Sequence, residues 1–588
     1  MKRNCSFHDR PNRSRNRVVA CGFLVLFGAI FIRLVFLHVL EAKSLADWAD
    51  RQHHRSIELV PTRGMIVDRG GSPLALTVEK PALYARPSVI EKPQAVARRL
   101  APLIHLPADH LVALLQQKRK WIKVKEELSE TEARAVRALG IEGLHVRLDP
   151  DRVYPKGPFL SHLLGFVGAE TRGREGLEFQ YDALLRGSPL RLQLDRDGHG
   201  AVISLTRSNG RYSRQGYRLT LTIDEVIQYI VEQELQAAVQ RTRARRGIAL
   251  VMEPFTGAML AWAVQPTFDP NNVSGLRPAE WRNRAITDPY EPGSTFKTII
   301  VAAALEEKLL TPETVIYCGE GRMKIAGTVV RDPARLGWVT MTEAFARSSN
   351  VAMIKTAHAL GAQRVWSYVR KFGFGEKTQI DLPGESRGIL KQPAHWSQRT
   401  LASIAIGQEI GVTPLQMIRA IAAIANGGWV VTPFVVSQMT DMLGQPQSGR
   451  PTWEKRMAIS HTTSQIVTRM LESVVREGTG RRAWLEAYPV AGKTGTAQKY
   501  DRTTGRYSWT NLIASFIGFV PAHDPRLVIL VMLDEPQGET AGGVVAAPVF
   551  RRIAERALQH LHVAPAPPKI VRVRIEAKAP TALNVSMQ

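Results

Sequence analysis

Three short segments in the second half of the chain carry the side chains that nucleophilic catalysis needs. In the first, EPGSTFKT, Ser294 stands three residues before Lys297. The Pro-Gly pair predicts a turn and the apolar run after it predicts a helix. The serine would then lie at a helix N-terminus, with the lysine one turn on and on the same face. The helix dipole would favour an alkoxide forming there. The other two segments are Ser348-Ser349-Asn350 and Lys493-Thr494-Gly495-Thr496.

A lysine can act as a general base near neutral pH only if its pKa is lowered, by removal from water or by a second cation. Lys493 is the candidate for that second cation beside Lys297. Each segment is a weak signal alone, because Ser-x-x-Lys arises by chance about once or twice in a chain of this length and Lys-Thr-Gly about 0.1 to 0.2 times. Their ordinary meanings are a solvated helix face, a cap or turn for Ser-x-Asn, and a surface lysine on a strand.

The flanking patterns predict the elements that must position these segments. A strand is expected over 217–223, and Asp224 would cap the long helix that follows. Two β-rich runs around the turn Pro254–Gly257 predict a hairpin, and Lys493 enters a further strand. Earlier in the chain we expect a helical stalk over 41–60, a strand–turn–strand unit around Asp68, helices over 90–145 and a helix–turn–helix unit over 158–187.

The N-terminal region predicts a membrane anchor. Residues 1–17 carry six basic side chains against one acid, and residues 18–40 are apolar apart from Arg33 and His38. A helix of that length is roughly 35 Å long and would cross a hydrocarbon core of about 30 Å, with the basic side in the cytoplasm. A cleaved signal peptide lacks its small-residue cleavage site, a lipoprotein cysteine would follow the apolar stretch whereas Cys21 precedes it, and a core helix would not need the basic flank. We therefore predict an uncleaved signal anchor, with everything after about residue 40 exported.

The composition restricts the remaining classes. With 78 lysines and arginines against 53 aspartates and glutamates, the net charge is +25, which first suggests nucleic acid or an anionic surface. The sequence has no zinc knuckle and no aromatic-interleaved basic strip, and its three cysteines are too few for a disulfide scaffold. The pair His53-His54 lacks the spacing of helical zinc ligands. We expect no metal, no cofactor and no nucleic-acid partner, and we place the positive charge beside anionic lipid head groups and cell-wall polymers.

Several longer stretches resemble the class B penicillin-binding proteins, in order and over nearly the whole chain. RGMIVDRGGSPLA (63–75) is similar to the first non-catalytic box of that family, and the region 152–187 is similar to the second. LTLTIDEVIQ (219–228) and GIALVMEPFTGAMLAWAVQPTFDPN (247–271) resemble the entry to its catalytic domain. IAIGQEIGVTPLQMIRAIAAIANGG (404–428) resembles the helical stretch before the third motif.

The resemblance implies an α+β fold. It has a single N-terminal transmembrane helix, an elongated pedestal domain and a penicillin-binding transpeptidase domain of the serine β-lactamase-like type, with an antiparallel sheet flanked by helices. The predicted boundaries are a cytoplasmic basic tail over 1–17, the signal anchor over 18–40, a stalk and non-catalytic pedestal (dimerisation-type) domain over 41–243, the transpeptidase domain over 244–561 and a C-terminal tail over 562–588.

Carried over position by position, the resemblance implies five catalytic residues. Ser294 matches the acylated nucleophile, and Lys297 matches the base that takes its proton. Ser348 and Asn350 match the proton relay and the group that orients the peptide amide. Lys493 matches the electropositive wall that steadies the relay.

The third motif also matches substrate-binding positions. Thr494, Gly495 and Thr496 would hold the substrate, with the two threonine hydroxyls on the carboxylate of a terminal D-Ala or of a β-lactam. The oxyanion hole would consist of the backbone N–H groups of Ser294 and Thr496.

The implied activity is D,D-transpeptidation of peptidoglycan, with stem pentapeptides ending in D-Ala-D-Ala, lipid-linked precursor strands and β-lactams as ligands. The segment before residue 240 is too short for a glycosyltransferase domain, so a membrane glycosyltransferase of the SEDS type and other division proteins are the implied partners. RSSNVAMIK (347–355) and AGGVVAAPVFRRIAERAL (541–558) look more like the division-associated branch. This likeness predicts a single-pass protein of the cytoplasmic membrane, with its catalytic domain on the periplasmic side at the septum. The alternatives are an elongation-type enzyme, a D,D-carboxypeptidase or β-lactamase, a β-lactam sensor and a cell-wall-binding scaffold.

Overall fold

The computed structural model describes residues 13–59, 61–168, 171–188, 190–196, 202–207, 215–441, 443–447, 455–501 and 505–565. The described residues divide into two compact units, one within 1–61 and 187–214 and the other within 62–186 and 215–588. Most of the predicted basic tail and most of the predicted C-terminal tail lie outside the described residues. The predicted domain boundaries stay predictions.

The first unit begins with the predicted anchor. Helix α1 (Arg13–Val35) passes into a π-helical turn at Phe36–Leu40, and α2 (Ala42–His53) and strand β1 (His54–Leu59) follow. Among the described residues, one helix, Arg15–Leu40, is long and apolar enough to cross a membrane. The helical stalk predicted over 41–60 is wrong beyond His53, because the next six residues pair with a strand some 130 positions further on.

The second unit opens with the predicted strand–turn–strand motif, in which Asp68 Oδ1 accepts hydrogen bonds from the N–H groups of Gly70 and Ser72. The all-helical expectation for 90–145 is partly wrong, because Ile122 and Val124 alternate with exposed Lys123 in a short strand that pairs with its neighbour β3. The elements of this part are β2 (Ile66–Val67), β3 (Pro73–Ala85), α3 (Pro93–Ile104), α4 (Ala108–Leu115), β4 (Ile122–Lys125), α5 (Glu130–Ala138), β5 (Leu144–Val153), α6 (Ser161–Leu164), α7 (Gly176–Gln180) and α8 (Asp182–Arg186).

Two strands then return to the first unit. They are β6 (Leu190–Arg196) and β7 (Val202–Arg207), and they form a three-stranded antiparallel sheet in the order β1-β6-β7.

The second unit resumes with β8 (Arg218–Leu221), which joins the sheet of β2, β3 and β4. Asp224 caps helix α9 (Glu225–Thr242) as predicted, because its carboxylate accepts from two backbone N–H groups of the first turn. The predicted hairpin is β9 (Arg246–Met252) and β10 (Met259–Gln265).

The remaining elements surround the three motif segments. The helices are α10 (Pro278–Trp281), α11 (Arg284–Thr287), α12 (Lys297–Glu306), α13 (Met341–Ala346), α14 (Asn350–Leu360), α15 (Ala362–Lys371), α16 (Thr400–Ala405), α17 (Pro414–Ala425), α18 (His461–Arg476), α19 (Gly542–Val545) and α20 (Ala547–His560). The strands are β11 (Val315–Tyr317), β12 (Arg322–Ile325), β13 (Thr328–Arg331), β14 (Trp338–Thr340), β15 (Trp429–Val430), β16 (Val436–Thr440), β17 (Arg456–Met457), β18 (Ala491–Asp501), β19 (Arg506–Val520) and β20 (Leu527–Asp534).

The part of the chain that carries the three motif segments is built on a five-stranded antiparallel sheet in the order β10-β9-β20-β19-β18. Both faces are covered, so β9 is buried along almost its whole length. Ile248 and Leu250 pack into the cluster that contains α12, α17 and α18, whereas Ala249 and Val251 pack against α9 and α20. The predicted antiparallel sheet flanked by helices is confirmed, and β18 with the Lys-Thr-Gly segment lies at its edge among the described strands.

Candidate active site

Ser294 lies in a tight 3₁₀ turn, Gly293–Phe296, that runs directly into α12. The regular helix therefore begins at Lys297, three residues later than the motif predicts. Gly293 has φ +56° and donates its N–H to the carbonyl of Gly407 at 3.0 Å. A Cβ on Gly407 would lie 2.1 Å from the Gly293 oxygen. The two glycines thus allow two backbones to touch and fix where the serine is presented.

Lys297 and Lys493 both lie fully buried beneath the serine turn. Lys297 Nζ donates to the carbonyl oxygen of Ser348 at 2.7 Å, to Ser348 Oγ at 3.2 Å and to Asn350 Oδ1 at 2.7 Å. Lys493 Nζ donates to the same Ser348 Oγ at 3.1 Å. One serine hydroxyl therefore bridges the two lysines, and the three motifs meet at it.

The burial of these lysines sets their protonation. Removal from water, followed by the positive charge of Lys493, lowers the pKa of Lys297 well below its ordinary value, while the carboxylate of Asp332 acts in the opposite direction. Burial also lowers the pKa of Lys493, to about 7. A neutral lysine amine can therefore exist near neutral pH at this position, which is what a general base requires.

Asp332, which belongs to none of the three motifs, stabilises the Ser-x-Asn segment. Its carboxylate accepts from Ser349 Oγ at 2.6 Å and from the N–H groups of Asn350 and Val351 at 2.6 and 2.9 Å. Ser348 just before them has a left-handed φ of +60°, an unfavourable conformation for a serine that the surrounding contacts must maintain. The aspartate caps α14 and so presents Ser348 and Asn350 to Lys297. Only the general preference of helix N-termini for carboxylates could have suggested it from sequence.

The Lys-Thr-Gly segment enters a strand as predicted. Thr494 Oγ1 is hydrogen bonded to Thr479 Oγ1 at 2.6 Å, and Thr496 Oγ1 accepts from the N–H of Gly542 at 3.1 Å. A Cβ on Gly495 would lie 2.9 Å from Thr295 Cγ2, so the glycine lets the strand lie against the serine turn. Thr479, like Asp332, was missed because it belongs to no recognised motif.

A cavity of about 1140 Å³ opens over these groups. The motif side chains that line it are Ser294, Ser348, Asn350, Thr494 and Thr496, and Lys297 and Lys493 lie beneath. The fold thus brings all eight predicted site residues into one place, with Gly495 at the contact between strand and turn. Their individual roles, and the oxyanion hole, stay predictions.

Potential metal ligands and free cysteines contribute little to this site. The described residues contain no cluster of three or more His, Cys, Asp or Glu side chains that could hold a metal ion. Cys21 and Cys318 are free cysteines, the first exposed and the second buried.

Family comparisons agree with this geometry. The model of the penicillin-binding protein transpeptidase domain matches residues 247–555, and that of the penicillin-binding protein dimerisation domain matches residues 58–221. Stage V sporulation protein D of Bacillus subtilis is 35% identical over 92% of this chain and 86% of its own. Peptidoglycan D,D-transpeptidase FtsI of Escherichia coli is 32% identical over 93% of this chain and 92% of its own. The crystal structure of penicillin-binding protein 3 from Mycobacterium tuberculosis, complexed with aztreonam, superposes with a TM-score of 0.69 at 29% identity, over 87% of this chain and 99% of that one.

A serine turn, a buried lysine pair and an edge strand on a covered antiparallel sheet define a serine-type acyl transferase. The chain belongs to the class B penicillin-binding proteins, and its catalytic part is a transpeptidase domain.

Proposed function

We propose that the chain cross-links peptidoglycan as a D,D-transpeptidase, through an acyl-enzyme on Ser294. The main support for these residue roles is the position of the Ser348 hydroxyl. It lies between the amines of Lys297 and Lys493, at 3.2 and 3.1 Å. A proton taken from the nucleophile by Lys297 has a hydrogen-bonded route to the leaving group through Ser348.

Acylation begins when Ser294 Oγ attacks the carbonyl of the penultimate D-Ala. Lys297 accepts the hydroxyl proton, the peptide C–N bond breaks, and the proton passes through Ser348 to the amine of the departing D-Ala. The acceptor amine of a second stem then attacks the ester carbonyl, the ester C–O bond breaks, and a proton of the amine passes to the departing Ser294 oxygen, which restores the serine. Asn350 and Thr496 would hold the peptide amide and the terminal carboxylate.

The position of β18 suits an extended substrate. It is the last strand of the five-stranded sheet among the described strands, so its outer edge can pair with a peptide backbone. Such pairing would place the scissile bond over the serine turn, because Gly495 already lies against Thr295.

Fluorescent penicillin tests the assignment of the nucleophile. We expect the purified full-length chain to form a long-lived adduct, Ser294→Ala to form none, and Ser88→Ala, an exposed position in the turn Pro87–Val89 outside the three motifs, to label normally. Labelling that persists in Ser294→Ala would reject the site. Rapid release of the label would instead indicate a hydrolase.

The cellular role that we propose is septal synthesis during division. It rests on the division-type sequence RSSNVAMIK at 347–355, on the end segment 541–558 and on the similarity to FtsI. The apolar helix Arg15–Leu40 would anchor the chain in the cytoplasmic membrane with the catalytic part on the periplasmic side, beside a SEDS-type glycosyltransferase. A fluorescent fusion should be enriched at midcell in dividing cells, and uniform side-wall signal would favour the elongation role. A signal that appears only in sporulating cells would favour the role named for the Bacillus relative.

A further inference from the structure

The cavity over Ser294 is lined by charged side chains of one sign only. Four arginines line it, Arg331, Arg399, Arg481 and Arg482, and no acidic side chain among the described residues does. All four are exposed, and none forms an ion pair with a described carboxylate. Arg481 and Arg482 donate to the backbone carbonyls of Glu477 at 3.0 Å and of Val544 at 3.5 Å. Exposed guanidinium groups that lack an acidic partner favour a ligand with several negative charges, and their planar donor pairs match carboxylates.

The backbone near three of these arginines, Arg331, Arg481 and Arg482, is connected to the catalytic motifs. The carbonyl of Arg331 accepts from Asn350 Nδ2 at 2.6 Å. Thr479, hydrogen bonded to Thr494, stands two residues before the Arg481-Arg482 pair. Hydrogen bonds to the second and third motifs therefore hold the backbone at Arg331 and close to Arg481 and Arg482 beside the reacting centre.

The basic composition of the chain alone does not explain this rim. A second groove, of about 640 Å³, is lined by Arg69, Arg526 and Glu253. There the charges are mixed, and the arginines pair with acids: Arg69 with Asp224 at 3.8 Å and Arg526 with Asp524 at 3.5 Å. The catalytic cavity differs from this groove in two ways. Its arginines form no ion pair with a described carboxylate, and no described acidic side chain lines the same wall.

We propose that the four arginines, here called the arginine rim, recognise free carboxylates along the substrate peptide in addition to the C-terminal carboxylate held by the third motif. The inference rests on the proposed function of the site and specifies its substrate class: an acidic stem peptide, in preference to one whose carboxylates are amidated. The same chemistry could belong to the donor stem or to the acceptor stem.

The test compares two matched stem pentapeptides, one with free side carboxylates and one with the corresponding carboxamides. The full-length chain is assayed in detergent for release of D-Ala, which reports the donor, and then for transfer to acid or amide forms of an amine acceptor. We expect kcat/KM for the acid form to exceed that for the amide by about tenfold or more in one of the two arms, since hydrogen bonds to charged groups are the strong ones. The double variant Arg331→Gln/Arg482→Gln should lower that ratio to about twofold, and raised salt should lower it in the unaltered chain.

Two controls keep the outcome specific. Arg331→Lys/Arg482→Lys keeps the charge and should retain a clear preference for the acid. Arg335→Gln, exposed in the same region but outside the cavity lining, should leave the ratio as in the unaltered chain. Thermal midpoints confirm that each variant is folded.

The inference is overturned if neither arm shows a preference for the acid, or if the preference survives in the glutamine double variant. Penicillin labelling separates this failure from that of the proposed function. A chain that labels at Ser294 but ignores side carboxylates refutes only the arginine rim, whereas a chain that does not label refutes the site itself.

Discussion

Lys297 and Lys493 are fully buried, and so is Glu178 under the first non-catalytic box, with Arg63 and Arg152 almost fully buried beside it. The two clusters differ in how their charges are compensated. Glu178 forms ion pairs with Arg63 at 2.6 Å and with Arg152 at 2.7 Å. Each arginine also donates to a backbone carbonyl.

No carboxylate in the described part of the chain contacts the lysine pair directly. Lys297 and Lys493 donate to neutral oxygens. The described acid that affects the pKa of Lys297 is Asp332, which contacts the backbone of Asn350 rather than the lysines. Burial without a counter-charge disfavours the ammonium form and lowers both pKa values. In the Arg63 cluster, by contrast, each buried charge lies against an opposite charge. The first arrangement yields a reactive amine, whereas the second holds segments of the pedestal together.

Removing the base should have the largest effect. Lys297→Met takes away the acceptor of the Ser294 proton, and general-base catalysis contributes about 10²- to 10⁴-fold. We expect the second-order rate of penicillin acylation to fall by about that factor with the fold intact. Lys355→Met, an exposed position on α14, is the matched control. A loss below about tenfold would mean that Lys297 is not the base.

Breaking the compensated cluster should destabilise the fold. Glu178→Gln leaves Arg152 without its carboxylate and leaves Arg63 only its ion pair with Asp182, and removing one partner of a buried pair costs about 3 to 5 kcal/mol. Thermal or urea unfolding should show this loss. Glu127→Gln, which removes a largely exposed pair with Lys80, should cost at most about 1 kcal/mol. Equal effects at the two sites would contradict the comparison.

Removing a charge from the lysine pair should have the opposite effect and increase the stability of the fold. Lys493→Met is expected to stabilise the fold at neutral pH by about 1 to 4 kcal/mol while acylation collapses, because a buried cation is exchanged for an apolar chain. The pKa of Lys493 is lower in the folded chain than in the unfolded one. Its destabilising effect is therefore full below about pH 7 and fades as the pH rises toward 10.5. Thermal midpoints at pH 7 and pH 10 should show the gain shrinking, and a destabilised variant at pH 7 would refute this view.

The smallest effect concerns Asp332. Its negative charge raises the pKa of Lys297, so Asp332→Asn should lower that pKa further. The acid limb of the acylation rate, where Lys297 loses its proton, should then move to lower pH by less than about one unit. Rates measured from pH 5 to 9 test this, with exposed Asp524→Asn as control. A shift to higher pH would show that loss of the α14 cap outweighs the charge.

The local features of the fold and of the site could be predicted from the sequence. The spacing of Ser294 and Lys297 predicted that both lie on one turn. The Asp224 cap and the hairpin after it could also be predicted, and Lys493 was expected near Lys297. The remaining features depend on contacts between distant segments. The pairing of residues 54–59 with β6, and the hold of Asp332 on α14, leave no periodic or motif signal.

The arginine rim was missed for a related reason. Its members come from three separate stretches of a basic chain, and a count of charges does not show which of them remain unpaired around one cavity. Similarly, the tight turn at Ser294 depends on Gly407, more than a hundred residues away, which delays the start of α12 to Lys297.

The order of strands in the central sheet has a consequence for how the chain matures. Strand β9 pairs with β20, and Met252 faces Val528, a sequence separation of 276 (528 − 252). During vectorial synthesis, β9 emerges early and keeps one edge and much of both apolar faces unsatisfied until almost the entire domain has followed it. Pairings this distant fold slowly and leave aggregation-prone intermediates. A chain truncated before Leu527 should therefore bind no penicillin although all three motifs are present, which makes antibiotic labelling a reporter of completed folding.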